Sequence, residues 1–151
     1  MPKPPYPIPG DPISSAWGTQ TIDYIGEKWR YVSVPRVAPI DLAAGVTAKT
    51  PVEFTNIPAN DPTVVAAEVG LVCRDPSGTA NMQTYAYDYA TEAEAGRAYS
   101  SGVAGRGGGA GNFRVLVGGT NNRQIKWNAS STNAQSSVFC YGYWVRETAL
   151  P

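Results

Sequence analysis

The sequence contains no histidine and only two cysteines, Cys73 and Cys140. Without histidine, the common Ser-His and Cys-His arrangements that activate a nucleophile are absent. The two cysteines lie far apart with no further ligand type beside them, so they predict no metal site. We expect two buried thiols that act as small hydrophobic side chains, with a disulfide between neighbouring strands as the open alternative. The sequence therefore predicts no catalytic residue, no cofactor and no metal.

Charge is also scarce. Asp, Glu, Lys and Arg make up 16% of the chain, and 12 basic residues balance 12 acidic ones. Such a chain has no field that would attract nucleic acid or an anionic membrane surface. It also lacks the net charge that resists self-association, so we expect it to assemble into something larger. With 151 residues, 42% of them hydrophobic, it is long enough for one domain with a real core.

Long apolar runs are missing as well. No stretch approaches the roughly 18 apolar residues that a membrane span needs, so we expect no membrane insertion. The first ten residues, MPKPPYPIPG, include one lysine but no apolar segment behind it, unlike a secretory signal. We expect either a cytoplasmic protein or one that leaves the cell by a route other than signal-directed export, such as release by lysis inside a virus particle.

The start of the chain is rich in proline. Six of the first 12 residues are Pro2, Pro4, Pro5, Pro7, Pro9 and Pro12. Proline fixes φ and removes the backbone donor, which favours an extended, polyproline-like arm. We expect this arm to dock along another surface; a disordered tail is the alternative.

Residues 11 to 29 predict a short helix. Asp11 followed by Pro12 is a favourable helix start, and apolar residues then recur at helical spacing. A helix this marginal needs a partner surface. We therefore assign residues 1–29 to an extended arm and anchoring helix, with the following assembly residues: Pro4, Pro5, Pro7, Pro9, Ile13, Trp17, Ile22, Ile25 and Trp29.

From residue 30 onward the pattern is typical of β-strands. Val65, Ala67, Val69, Leu71 and Cys73 alternate and predict one buried face of a long strand. Residues 46–54 alternate too, and Pro51 restricts that strand to an edge or a bulge. Seven or eight short strands with regular turns predict an all-β fold over residues 30–151, either an antiparallel sandwich or a jelly roll. Five glycines between Gly105 and Gly111 predict a long flexible loop.

Two groups of side chains are candidate sites. Asp88, Glu92 and Glu94 form the densest acidic group, which a glycoside hydrolase would need, but the surrounding residues are typical of a solvated loop. Tyrosine is the stronger signal. Five tyrosines alternate along two predicted strands: Tyr85, Tyr87, Tyr89, Tyr141 and Tyr143. If these side chains point outward, they form a platform suited to sugar or protein contacts. If they point inward, they belong to the core or to a subunit interface.

The segment GDPISSAWGTQTIDYI resembles the start of tailed-bacteriophage fibre and appendage proteins. Gly10, Ile13, Ala16, Trp17 and Gly18 match that pattern over about a tenth of the chain. The resemblance implies that this region mediates trimerisation or attachment to the particle.

A second pattern, VEFTNIPA together with the later GYW, is similar to a β-domain of actinobacterial surface proteins and some phage virion proteins. This resemblance implies no catalytic residue.

The combined hypothesis is a non-enzymatic bacteriophage virion protein, either a capsid decoration or a fibre. The N-terminal arm would anchor it to other virion proteins, and a homotrimer would display the β-domain, with a host-surface glycan as its ligand. The alternative is a free, lectin-like carbohydrate-binding module, which would be a monomer that does not need residues 1–29.

Overall fold

The computed structural model describes residues 28–35, 39–78, 81–104 and 106–147. Nearly all of the regular structure in these ranges is β, apart from one 3-10 turn at Thr120–Asn122. The strands are β1 (Lys28–Ser33), β2 (Ile40–Leu42), β3 (Thr50–Glu53), β4 (Val64–Arg74), β5 (Gln83–Tyr87), β6 (Glu94–Tyr99), β7 (Gly107–Leu116), β8 (Gln124–Ala129) and β9 (Gln135–Glu147).

The strands form two antiparallel sheets. Sheet A has the order β1-β9-β4-β7, and β2 pairs with the N-terminal part of β9. Sheet B has the order β3-β8-β5-β6. The chain passes from one sheet to the other at each connection except β1 to β2 and the β5–β6 hairpin. The all-β, antiparallel prediction is therefore confirmed.

The hydrophobic core lies between the two sheets. Sheet A contributes Val69, Leu71 and Val138, and sheet B contributes Ile125 and Trp127, all of them buried. Alternation along each strand places one face on this core, as expected for a two-layer β structure. Two sheets that share one core confirm the sandwich.

One polar contact joins the sheets inside the core. The hydroxyls of Thr84 on β5 and Ser136 on β9 lie 2.5 Å apart and share a hydrogen bond, and both residues are buried. Each hydroxyl satisfies the other, which avoids the cost of an unpaired buried polar group. The bond also fixes how β5 lies over β9.

The buried face of the long strand was predicted correctly from Ala67 to Cys73. Val65 is only half-buried, because the register between β4 and β9 shifts between Val64 and Ala66 and Val64 takes the inward position instead. Pro51 lies on β3, whose only ladder in the described chain is with β8 at the edge of sheet B. This confirms the restriction that proline imposes on a strand.

Two expectations were wrong. Trp29 was expected to end a helix, but β1 begins at Lys28, so Trp29 is a strand residue and the β-domain begins before residue 30. The glycine-rich segment was expected to be a flexible loop, but β7 begins at Gly107 and pairs with β4. The absence of a side chain at Gly108 lets the backbones of β7 and β6 come close together. Gly108 is opposite Cys73, and an added Cβ would collide with the carbonyl oxygen of Tyr99 on β6.

This close approach predicts how alanine at two glycines of β7 changes stability. Gly108→Ala should lower the free energy of unfolding by about 1–3 kcal/mol, because backbone atoms of β6 must move away. Gly111→Ala is the matched control: nothing lies within 4 Å of its added Cβ, so we expect a change within ~1 kcal/mol. Urea unfolding of both variants measures the difference, and equal stabilities would show that β7 does not depend on Gly108.

Candidate contact face

The outer face of sheet A is unusually rich in aromatic side chains. Register pairing aligns Tyr31 on β1, Trp144 on β9, Ala66 on β4 and Leu116 on β7 in one row across the sheet. Trp29 precedes Tyr31 by two residues on β1 and therefore lies on the same face. An outer sheet face is ordinarily polar, so this row is a candidate contact surface. We call it the aromatic face; it also includes Phe139 and Tyr141.

A bulge in β9 produces this arrangement. The register between β4 and β9 shifts between Glu68, which is opposite Gly142, and Val69, which is opposite Cys140, so Tyr141 is the extra residue. Beyond the bulge the inward and outward positions exchange. Tyr143 consequently packs against the core, and Trp144 joins the outer face.

Glycines form the floor beneath two of the rings. The Tyr141 ring lies on Gly70, where an added Cβ would be 2.7 Å from the Tyr141 hydroxyl oxygen. The Tyr31 ring covers Gly142 in the same way, and its centroid is 5.0 Å from that of Trp144. Phe139 and Tyr141 are parallel, with an interplanar angle of 2° and centroids 6.2 Å apart. Because the floor has no side chains, the rings lie close to the sheet.

Charged groups complete the face. The Arg114 guanidinium lies 4.1 Å from the centre of the Trp144 ring and 5.6 Å from that of Trp29. Burial and the neighbouring Glu68 carboxylate raise the pKa of Tyr31 to about 12, because both favour the neutral phenol. The Tyr31 hydroxyl donates to the carbonyl oxygen of Tyr141 at 3.2 Å. Trp, Tyr and Arg are the residue types that contribute most to protein–protein binding energy, and all three are present on this face.

The aromatic face continues into a groove at one end of the sandwich, which we call the end groove. Its volume is about 600 Å³, within the usual range for ligand sites. Its lining shares Trp29 and Leu116 with the aromatic face. The other described residues that line it are Arg146, which is opposite Trp29 in the β1–β9 ladder, and Asn60, Pro62, Val64, Val65, Asp88, Ala90, Thr91, Val117 and Asn122.

The predicted tyrosine platform is divided between the two sheets. Tyr85 and Tyr87 lie on β5 of sheet B, with their ring centroids 6.1 Å apart. Cations of the chain itself approach these rings: Arg97 lies 5.0 Å from the Tyr85 ring centre, Lys49 lies 4.5 Å from that of Tyr87, and Lys126 lies 5.1 Å from that of Tyr89. Of the five tyrosines, only Tyr141 lies on the aromatic face.

The predicted acidic group is not assembled into a carboxylate pair. The Asp88 carboxylate accepts a hydrogen bond from the Leu116 backbone N–H at 2.8 Å. Glu92 pairs with Lys126 at 2.5 Å and Lys49 at 3.5 Å, which lowers its pKa. Glu94 forms a two-point ion pair with Arg97. Each carboxylate therefore has its own partner.

Cys73 and Cys140 are free and buried, as expected for two small hydrophobic side chains. Burial raises the pKa of both thiols, that of Cys140 to about 11. Across the described ranges there is no cluster of three or more His, Cys, Asp or Glu side chains able to hold a metal ion. Those ranges also contain no helix that is long and apolar enough to cross a membrane.

The remaining predicted assembly residues lie outside the described residues: Pro4, Pro5, Pro7, Pro9, Ile13, Trp17, Ile22 and Ile25. Sequence reasoning placed Phe139 and Tyr141 on one strand face, but it missed Tyr31, Arg114 and Trp144 as parts of that face. The alternation of aromatics along residues 139–144 was the available signal, but strict period-two counting assigns Tyr143 and Trp144 to the wrong faces of the sheet, because it does not allow for the bulge at Tyr141.

Comparison of the chain with protein-family models, with curated proteins and with solved structures found no match.

The raised pKa of Tyr31 gives a testable prediction. Glu68→Gln should lower the pKa of Tyr31 from about 12 towards its ordinary value of 10, with part of the shift kept because burial is its largest cause. Titration of carbon-13-labelled tyrosine by NMR measures this, and Tyr31→Phe assigns the signal. Since the folded pKa is raised, the stability that Tyr31 contributes is complete below pH 10 and is lost between pH 10 and 12. An unchanged pKa in Glu68→Gln would show that the carboxylate does not act on this phenol.

Proposed function

We propose that this protein is a non-enzymatic structural protein of a bacteriophage particle, a capsid decoration or a fibre. In this proposal the β-sandwich is displayed, the N-terminal segment attaches it to other virion proteins, and three copies assemble. It is made in the host cytoplasm and is released within the particle. The observation that supports it most is the aromatic face, because a sheet surface with two Trp residues and an Arg is suited to burial against another protein.

The strand order supports the same proposal. With β1 and β2 counted as one interrupted edge strand, the sheets have the orders of the two layers of a jelly roll, which occurs in capsid and lectin domains. This is an argument from fold analogy, and the site must supply the rest. The position of Trp29 supports the proposal, because residue 27 leads directly into β1 at the edge of the aromatic face.

Glycan binding is the second candidate function. It is favoured by Phe139 and Tyr141, whose parallel rings lie on the same sheet as the paired positions Glu68 and Arg114. A sugar can stack on such rings while its hydroxyls bond to the charges. In the virion this would make the aromatic face a surface for host adhesion.

Assembly predicts that the mass in solution depends on the aromatic face. The full-length chain should be a trimer or larger by light scattering, and Trp144→Ala with Tyr31→Ala should reduce it to a monomer at the same concentration. Tyr85→Ala, on the outer face of sheet B, is the matched control and should leave the mass unchanged. A wild-type monomer that binds glycans, and loses this binding in Tyr141→Ala, would replace assembly by the lectin function.

The attachment role of the N-terminal segment can be tested by removing that segment. Because Lys28 and Trp29 belong to β1, the segment should be removed only as far as residue 27. The shortened chain should keep its unfolding free energy within ~1 kcal/mol while losing attachment to particles. Co-sedimentation with particles that lack the protein measures this, and full attachment without residues 1–27 would contradict an anchoring role.

A further inference from the structure

We infer that the end groove binds the proline-rich segment of a neighbouring copy, residues 2–12 of the same sequence. This inference rests on the proposed function, since it names the contact by which copies would be joined. It begins from the chemistry of the groove, whose walls include the Trp29 indole and the apolar side chains of Pro62, Val65 and Leu116. Leu116 is 37% exposed, so an apolar strand residue faces this groove without a full cover among the described residues.

The proline-rich segment has the chemistry that such a groove recognises. Its prolines are spaced as three Pro-x-x-Pro units: Pro2 with Pro5, Pro4 with Pro7, and Pro9 with Pro12. Segments of this kind bind aromatic-lined grooves, because a preformed polyproline II chain loses little entropy on binding. Trp29 supplies the aromatic wall, and the groove is large enough for a short peptide.

The charges are also complementary. Among the described residues that line the groove, Asp88 and Arg146 are charged, one of each sign. The segment likewise includes one residue of each sign, Lys3 and Asp11. Opposite charges on the two partners would set the direction of the bound segment more than its affinity.

A neighbouring copy is the source that the chain length favours. Fifteen residues, 13–27, separate Pro12 from Lys28, where β1 begins beside the groove. A helix over these residues, which their apolar spacing predicts, would be about 22 Å long. Fully extended, the same residues would span up to roughly 50 Å. A domain of this size has a radius of gyration of about 13–14 Å, so the segment reaches the groove of an adjacent copy.

The test of the groove uses a fluorescent peptide of residues 1–12. It is titrated onto the full-length chain in which Pro4, Pro5, Pro7 and Pro9 are all replaced by serine, so that the chain's own segment does not compete. We expect saturable binding by anisotropy, weakened about tenfold or more by an added Leu116→Ser. Val103→Ser is the control, because Val103 is another exposed apolar residue, 51% exposed, that does not line the groove.

A peptide that does not bind, or that binds the Leu116→Ser and Val103→Ser chains equally, overturns the inference. That result leaves the proposed function intact if the wild-type chain still assembles through the aromatic face. If the peptide binds but the wild-type chain is a monomer, the groove assignment is kept and self-assembly is contradicted.

The source of the segment is tested by mixing. The proline-to-serine chain has an intact groove, and Leu116→Ser has an intact segment, so each alone should have a lower mass than the wild-type chain. Mixed in equal amounts they should form a complex that neither forms alone. If the mixture stays at the masses of its parts although the peptide binds, the groove takes the segment of its own chain and the neighbouring copy is excluded.

Discussion

The antiparallel pairing of β4 with β9 is the interaction on which the rest of the structure depends. These two strands are the longest in the described chain, and they are the central pair of sheet A. β1 and β2 reach the sheet only by pairing with β9, and β7 only by pairing with β4. The inner side of the same pair supplies Val69, Leu71 and Val138 to the core. Core and outer face are therefore set by one ladder, and a change of register would expose one while burying the other.

The bulge in this ladder explains both the strength and the weakness of sequence reasoning here. Alternation was sufficient to predict a sandwich and the buried residues from Ala67 to Cys73, because burial of one face imposes a period of two. A bulge inserts one extra residue into a strand, and the amino-acid composition does not reveal where this happens. The sequence of β9 therefore indicated an aromatic face, but it did not show that Trp144 and not Tyr143 would belong to it.

The glycines also show which features the sequence could predict and which it could not. Their number near residue 107 was visible, but the conclusion of a flexible loop was wrong, because composition does not reveal whether a missing side chain serves motion or a close approach. At Gly108 it serves the contact with β6, and at Gly70 and Gly142 it makes room for tyrosine rings. The face could be found only after the strands were placed, since its members come from four strands, β1, β4, β7 and β9, that are distant in sequence.

The two thiols have a consequence for where such a protein can exist. Cys73 and Cys140 are enclosed in the core, and burial keeps them protonated, so neither is positioned to react with an oxidant or a second thiol. The fold has no covalent crosslink among its described residues whose survival depends on redox potential. The described domain can therefore keep the same folded state in reducing and in oxidising surroundings, without chemical change at either thiol.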